Sequence, residues 1–157
     1  MKKFFALLYA VLFISVIAMT VSAAELPKNT TKIQIAVSDS DASYICIAAK
    51  EFAKRASEYS DNALEFEVVP NGILYEGDTA YGIQQLSSGA LQMLILSSAT
   101  YTNFMPSFNI ISVPYMFDNQ EQLIAYLHSD IATELFNRVN LMGISVIGKW
   151  TLSFREI

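Results

Sequence analysis

Between residues 32 and 68 the chain changes hydrophobic period twice, and that change constrains the fold more than any other feature. Lys32-Ile33-Gln34-Ile35-Ala36-Val37 largely alternates at period two, the signature of a strand. Ser38-Asp39-Ser40-Asp41 then supplies helix N-cap chemistry. Ile45, Ala48, Ala49, Phe52, Ala53 and Ala56 recur at spacings of three and four, the core face of a helix that Asp61-Asn62 ends. Leu64, Phe66 and Val68 alternate with Glu65 and Glu67, a second strand with one solvated face, and Pro70-Asn71-Gly72 is a turn. Strand, crossover helix and strand make a βαβ unit with parallel strands.

The rest of the chain continues the alternation. Residues Asp78 to Ser88 read as a helix, with Ala80, Ile83 and Leu86 inward and Gly89 as its stop. Leu91 to Leu96 is apolar apart from Gln92, as a strand buried on both faces should be. Ile110-Ile111-Ser112-Val113 reads as a short strand cut off by Pro114. Asp118-Asn119 caps one long helix whose stripe is Leu123, Leu127, Ile131 and Leu135. Gly143 precedes a last strand, Ile144 to Trp150. The expected fold class is α/β, a mainly parallel sheet with helices on both faces.

The N-terminus sets the compartment. Lys2-Lys3, an apolar run from Phe4 to Met19 and the small residues Ser22-Ala23-Ala24 form the n-region, h-region and cleavage site of a secretory signal peptide. A transmembrane span needs about 20 apolar residues, so a retained anchor is the alternative that this short run disfavours. The expected division is residues 1–24 as signal peptide and 25–157 as a single domain, exported to the periplasm without membrane insertion after cleavage. Loss of Lys2 and Lys3 lowers the basic count from 10 to 8 against 15 acidic residues, so the net charge moves from −5 to −7. An acidic exported domain lacks the electrostatic footprint of a nucleic-acid partner. Cys46 is the sole cysteine, which excludes an internal disulfide and argues against a zinc cluster.

In an open α/β sheet, ligands sit beyond the carboxyl ends of the strands, where helix N-termini offer free amides to anions. Three segments fall at such positions: Ser38 to Asp41, Ser97 to Thr100, and Phe154-Arg155. The Ser and Thr clusters are either caps or ligand contacts. Arg155 is either a solvated arginine or a bidentate grip on a carboxylate. Trp150, with Tyr101, Phe104 and Phe108, either walls a pocket or packs in the core. No nucleophile elbow, zinc-protease, Walker or dinucleotide motif occurs, and His128 is the only histidine, on the polar side of the long helix. An enzyme is therefore not expected, and no cofactor or metal is implied. Asn29-Thr30-Thr31 fits the N-glycosylation pattern, which is common by chance.

Five motifs in register carry a resemblance. Ala49-Lys50-Glu51-Phe52-Ala53, Val69-Pro70-Asn71-Gly72-Ile73-Leu74, the stretch from Gln84 to Met93, Val113-Pro114-Tyr115-Met116-Phe117 and Ser153-Phe154-Arg155 resemble, in order, pieces of one family. That family is the solute-binding proteins of TRAP (tripartite ATP-independent periplasmic) transporters, dicarboxylate-binding type. The resemblance runs from about Lys32 to Ile157 and matches the N-terminal half. It implies a two-lobed protein closing by a hinge on a small organic acid, which it delivers to membrane permease subunits. Carried over by position, it implies ligand contacts at Ser38, Ser97, Thr100 and Arg155. The family's acidic contact after the P-N-G turn aligns with Gly77, flanked by Glu76 and Asp78, and Glu76 is taken as the candidate. A second carboxylate-binding arginine and most of the second lobe are expected beyond Ile157, the chain being truncated before that lobe. The competing expectation is an exported α/β domain that has lost its ligand and at most contacts a protein partner.

Overall fold

The computed structural model describes residues 30–151. Its framework is a three-stranded parallel sheet, β1 (Thr31–Val37), β2 (Leu64–Val69) and β3 (Met93–Ile95), in the order β2-β1-β3. Thr31 pairs with Leu64 and Ala36 with Val69 on one flank, while Val37 pairs with Ile95 on the other. The period-two alternation of β1 sends its residues to opposite faces. Ile35 and Val37 pack with Cys46, Ala49 and Ala53 of helix α1 (Tyr44–Tyr59), joined by Phe66, Val68, Met93 and Ile95. Phe52 of α1 meets Phe66 of β2 edge to face at 5.8 Å. Ala36 turns the other way, toward Tyr75 and Leu91, with Leu94 and Leu96 alongside. That face continues into Ile83 of α2 (Thr79–Ser88), Phe108, Val139 and Ile144. Helices thus cover both faces of a parallel sheet, as the pattern required.

The local signals for the βαβ unit are visible in its geometry. Asp61 and Asn62 take positive φ where α1 ends, and Glu65 and Glu67 are exposed. Asp78 caps α2 by accepting from the Ala80 and Tyr81 amides, and Gly89 closes it in the left-handed conformation. The cap of α1 is Ser43, two residues past the end of the expected cluster, and its side chain accepts from the Cys46 amide at 3.1 Å. Ala48 is exposed and Cys46 takes its place in the core, because the helix begins at Tyr44 and its inward face is set from there.

Beyond β3 the expectations need correction. Strand β3 spans only Met93–Ile95, and its three residues are half-buried rather than covered on both faces. Residues 110–113 are not a strand. Pro106–Ser112 is a 3₁₀ helix with Pro106 at its start, and it turns Phe108 into the core between Tyr101 (6.0 Å) and Phe136 (5.3 Å). The long helix is two, α3 (Gln120–Leu127) and α4 (Asp130–Asn137). Ser129 separates them, since its hydroxyl donates to the Tyr126 carbonyl and accepts from the Ala132 amide, ending one helix and capping the next. Leu127 and Leu135 are buried, but Ile131 falls off the stripe at 71% exposure. Residues 144–151 form no strand among the described residues. Ile144 is buried, and Lys149 donates to the Leu127 carbonyl and lies over the Phe136 ring. No described helix is long and apolar enough to cross a membrane. The signal segment 1–24 and Arg155 lie outside the described residues.

Candidate functional site at the carboxyl edge of the sheet

The strand order creates the site. From β1 the chain crosses to β2 on one flank, then returns to place β3 on the other. The crevice of such a sheet opens where the connections part, beyond the carboxyl ends of β1 and β3. Val37 and Ile95 are register partners there. Ser38 is one residue past Val37 and Ser97 two past Ile95, so two of the expected contacts meet at one edge although 59 positions separate them. The loop after β2 is tied to the same edge. The Gly72 amide donates to the Val37 carbonyl and the Asn71 amide to the Asp39 carbonyl, both at 2.9 Å.

The hydroxyls at this edge have different duties. Ser38 caps no helix; it is exposed and donates to Asp39 Oδ2 at 2.8 Å. Ser97 caps the 3₁₀ helix Ser98–Asn103, accepting from the Ala99 amide at 3.4 Å. The Thr100 hydroxyl donates to the Ser97 carbonyl at 2.6 Å, so capping is what Ser97 and Thr100 do in this structure. Glu76 is exposed at φ 56°, beside a shallow depression of about 440 Å³ lined also by Asp78, Ala80, Tyr81 and Gln84. Trp150 is 49% exposed and in irregular backbone, not at a strand end. Tyr101, Phe104 and Phe108 belong to the core cluster around Ile83.

The loops after β2 and β3 bring no positive charge to this edge. No Lys or Arg occurs from residue 56 to residue 137, a stretch that holds β2, β3 and the loops after both. Four described cations are held in ion pairs: Lys50 with Asp41 and Arg55 with Glu51, each at 2.6 Å, and Lys32 with Glu65 and Arg138 with Glu134, each at 3.7 Å. Lys50 holds the Asp41 carboxyl below its usual range, first through the hydrogen bond and then through its charge. Among the described residues no group of three His, Cys, Asp or Glu side chains could hold a metal ion.

One residue of the edge escaped sequence reasoning. Tyr75 follows the Pro70-Asn71-Gly72 turn, is 1% exposed, and has a buried hydroxyl that lies beside Ser38 without a partner at full hydrogen-bond geometry among the described residues. Its ring lies between two glycines. A Cβ on Gly82 would meet Tyr75 Cγ at 2.9 Å, and one on Gly72 would meet its Cε2 at 3.2 Å and Cζ at 3.3 Å. Gly72 also needs its freedom for φ +65°. The signal that could have found Tyr75 is Gly82 itself, since a glycine inside a helix marks close approach.

Comparison with known proteins agrees with this architecture. The family model for bacterial extracellular solute-binding protein, family 7, matches residues 35–157. A C4-dicarboxylate-binding protein of Bacillus subtilis is 28% identical over 111 residues, covering 71% of this chain and 31% of the relative. Among solved structures, a sugar acid-binding protein of Advenella mimigardefordensis in complex with galactonate superposes with a TM-score of 0.69. It is 24% identical, with 73% of this chain and 36% of that chain covered. A TRAP periplasmic solute-binding protein of Haemophilus influenzae with bound L-gulonate also gives 0.69 at 24% identity, covering 76% and 38%. The chain spans about a third of the length of the curated relatives it matches.

Proposed function

Because the chain belongs to the bacterial extracellular solute-binding proteins of family 7, a family of transport components rather than enzymes, we propose that it supplies the first wall of a two-lobed site that captures a small organic acid in the periplasm. The acid would then pass to the membrane permease subunits of a TRAP transporter. The observation that carries the reading is the register of Val37 with Ile95, which brings Ser38 and Ser97 to the switch point where such sheets bind ligands. The relatives support the ligand class. One is named for C4-dicarboxylates, and two structures hold the sugar acids galactonate and L-gulonate.

An acidic wall cannot hold a carboxylate unaided, and the loops from β2 onward contribute no cation as far as residue 137. Arg155 is the cation we assign to the carboxylate, through its planar fork. Export follows cleavage after Ala23 or Ala24, so the exported protein should begin at Ala24 or Glu25.

Calorimetry on the full-length protein with a carboxylate panel tests the reading. A charge-assisted bond contributes about 1.5–3 kcal/mol, so Arg155→Ala should weaken the best ligand by about 10- to 150-fold. Arg155→Lys should lose less, because it keeps the charge without the fork. Parent-like affinity in both variants would remove Arg155 from the site, and no binding of any carboxylate by the parent would refute the function.

A further inference from the structure

We infer that Tyr75, acting with Ser38 and Asp39, is a specificity-determining residue that reads a ligand hydroxyl, so that the acid bound here is a hydroxylated one rather than an unsubstituted dicarboxylate. The inference rests on the reading of the chain as an organic-acid binder and deepens it. Three placements carry it. The Tyr75 ring packs on Ala36, the penultimate residue of β1. The end of the ring that bears its hydroxyl abuts Gly72, whose amide is bonded to the Val37 carbonyl. The hydroxyl is therefore delivered to the carboxyl end of β1, where it is buried beside the Ser38 hydroxyl and has no partner at full hydrogen-bond geometry. Burial, chiefly, holds the phenol above its usual range; hydrogen bonding with the Ser38 hydroxyl opposes this and the Asp39 charge adds to it, so both groups lie close to the phenol.

The chemistry of the corner selects its ligand. Asp39 is an acceptor only, while Ser38 and Tyr75 each donate and accept. A ligand hydroxyl also donates and accepts, so it can give its proton to Asp39 or Ser38 and take one from Tyr75. A second ligand carboxylate is acceptor-only and negative. It would face Asp39 in a loop whose cation, Lys50, is already bonded to Asp41, so like charges repel. A buried hydroxyl lacking a partner is expected to be completed by ligand or ordered water, and two glycines hold the ring in place for it.

The test is calorimetry of full-length parent, Tyr75→Phe and Ser38→Ala with galactonate and with succinate, together with the melting temperature of each unliganded protein. The parent should prefer galactonate. Tyr75→Phe should reduce that preference about 5- to 10-fold, the worth of one hydrogen bond, with the unliganded melting temperature unchanged or higher. Ser38→Ala, which leaves the core untouched, should reduce the preference in the same direction. Equal or tighter binding of succinate by the parent overturns the inference. So does a preference that neither variant moves, or equal weakening of both acids by Tyr75→Phe, which would mark a purely structural role. If succinate binds and depends on Arg155, the general reading survives that result; if neither acid binds, both fall.

Discussion

Gly82→Ala offers the sharpest check on the packing that places Tyr75. In a free helix the change is favourable, since glycine in a helix interior costs about 1 kcal/mol relative to alanine. Here the new methyl would sit 2.9 Å from Tyr75 Cγ and 3.2 Å from its Cβ and Cδ1. These atoms are the stem of the side chain, not a flexible tip, and the far edge of the ring is stopped by Gly72. Overpacking of this kind costs about 1–3 kcal/mol. The net expectation is destabilisation of about 1 kcal/mol, the reverse of what helix propensity alone predicts. Urea unfolding followed by circular dichroism reads it, with a double-mutant cycle as control. In a Tyr75→Ala background the crowding is largely gone, so Gly82→Ala should turn neutral or stabilising, giving a coupling of about 1–3 kcal/mol. A Gly82→Ala protein more stable than the parent would refute the close approach of ring and helix.

Two further outcomes test other parts of the fold. Phe108→Ala should cost about 3–5 kcal/mol in urea unfolding, because Phe108 is 2% exposed and centres the ring stack of Tyr101 and Phe136; a cost under about 1 kcal/mol would place Phe108 outside the core. The Asp41–Lys50 pair should contribute stability at neutral pH that fades in acid. A carboxyl whose folded-state pKa is depressed stabilises above its ordinary range near 4 and loses that contribution as pH falls through the lowered value. The stability difference between parent and Asp41→Asn should therefore shrink below about pH 4, and should also shrink in salt because the pair is exposed; a difference that grows in acid would contradict the pairing.

The βαβ unit was legible in the sequence because burial there obeys simple periods. Residues 33–37 and 64–68 alternate across a sheet, and Ala49, Phe52 and Ala53 recur on one helix face. Later segments were misread where local hydrogen bonding overrode the apolar pattern. The β-branched residues Ile110 and Val113 suggested a strand, but strand preference amounts to fitting a half-buried pleated surface. Phe108 buries itself instead by a 3₁₀ turn, a form without a long period to detect. The stripe of Leu127 and Leu135 survived the break at Ser129, which is why one helix and two short ones look alike in sequence. The place of Ser38 at the sheet edge was legible because it follows a strand directly. Tyr75 was not, since a tyrosine beside Ile73 and Leu74 reads as core, and its ring is core.

The same residues that order this edge also limit what it can do alone. The Gly72 and Asn71 amides are spent on the Val37 and Asp39 carbonyls, and Thr100 on the Ser97 carbonyl. What is left is the Ser38 hydroxyl bonded to the Asp39 carboxylate, with the buried Tyr75 hydroxyl behind them, a set with hydrogen-bonding groups for a ligand hydroxyl but no charge to neutralise a carboxylate. Recognition on this reading is divided: orientation from the β1 edge, charge from Arg155 and the opposing lobe. Ligand sites bury most of the ligand surface, and one wall leaves half of it wet. A polypeptide of residues 25–157 should therefore bind galactonate or succinate no tighter than about millimolar, roughly 4 kcal/mol. Micromolar binding by that polypeptide would mean the edge already holds a complete site, and the division of labour argued from its charges would be wrong.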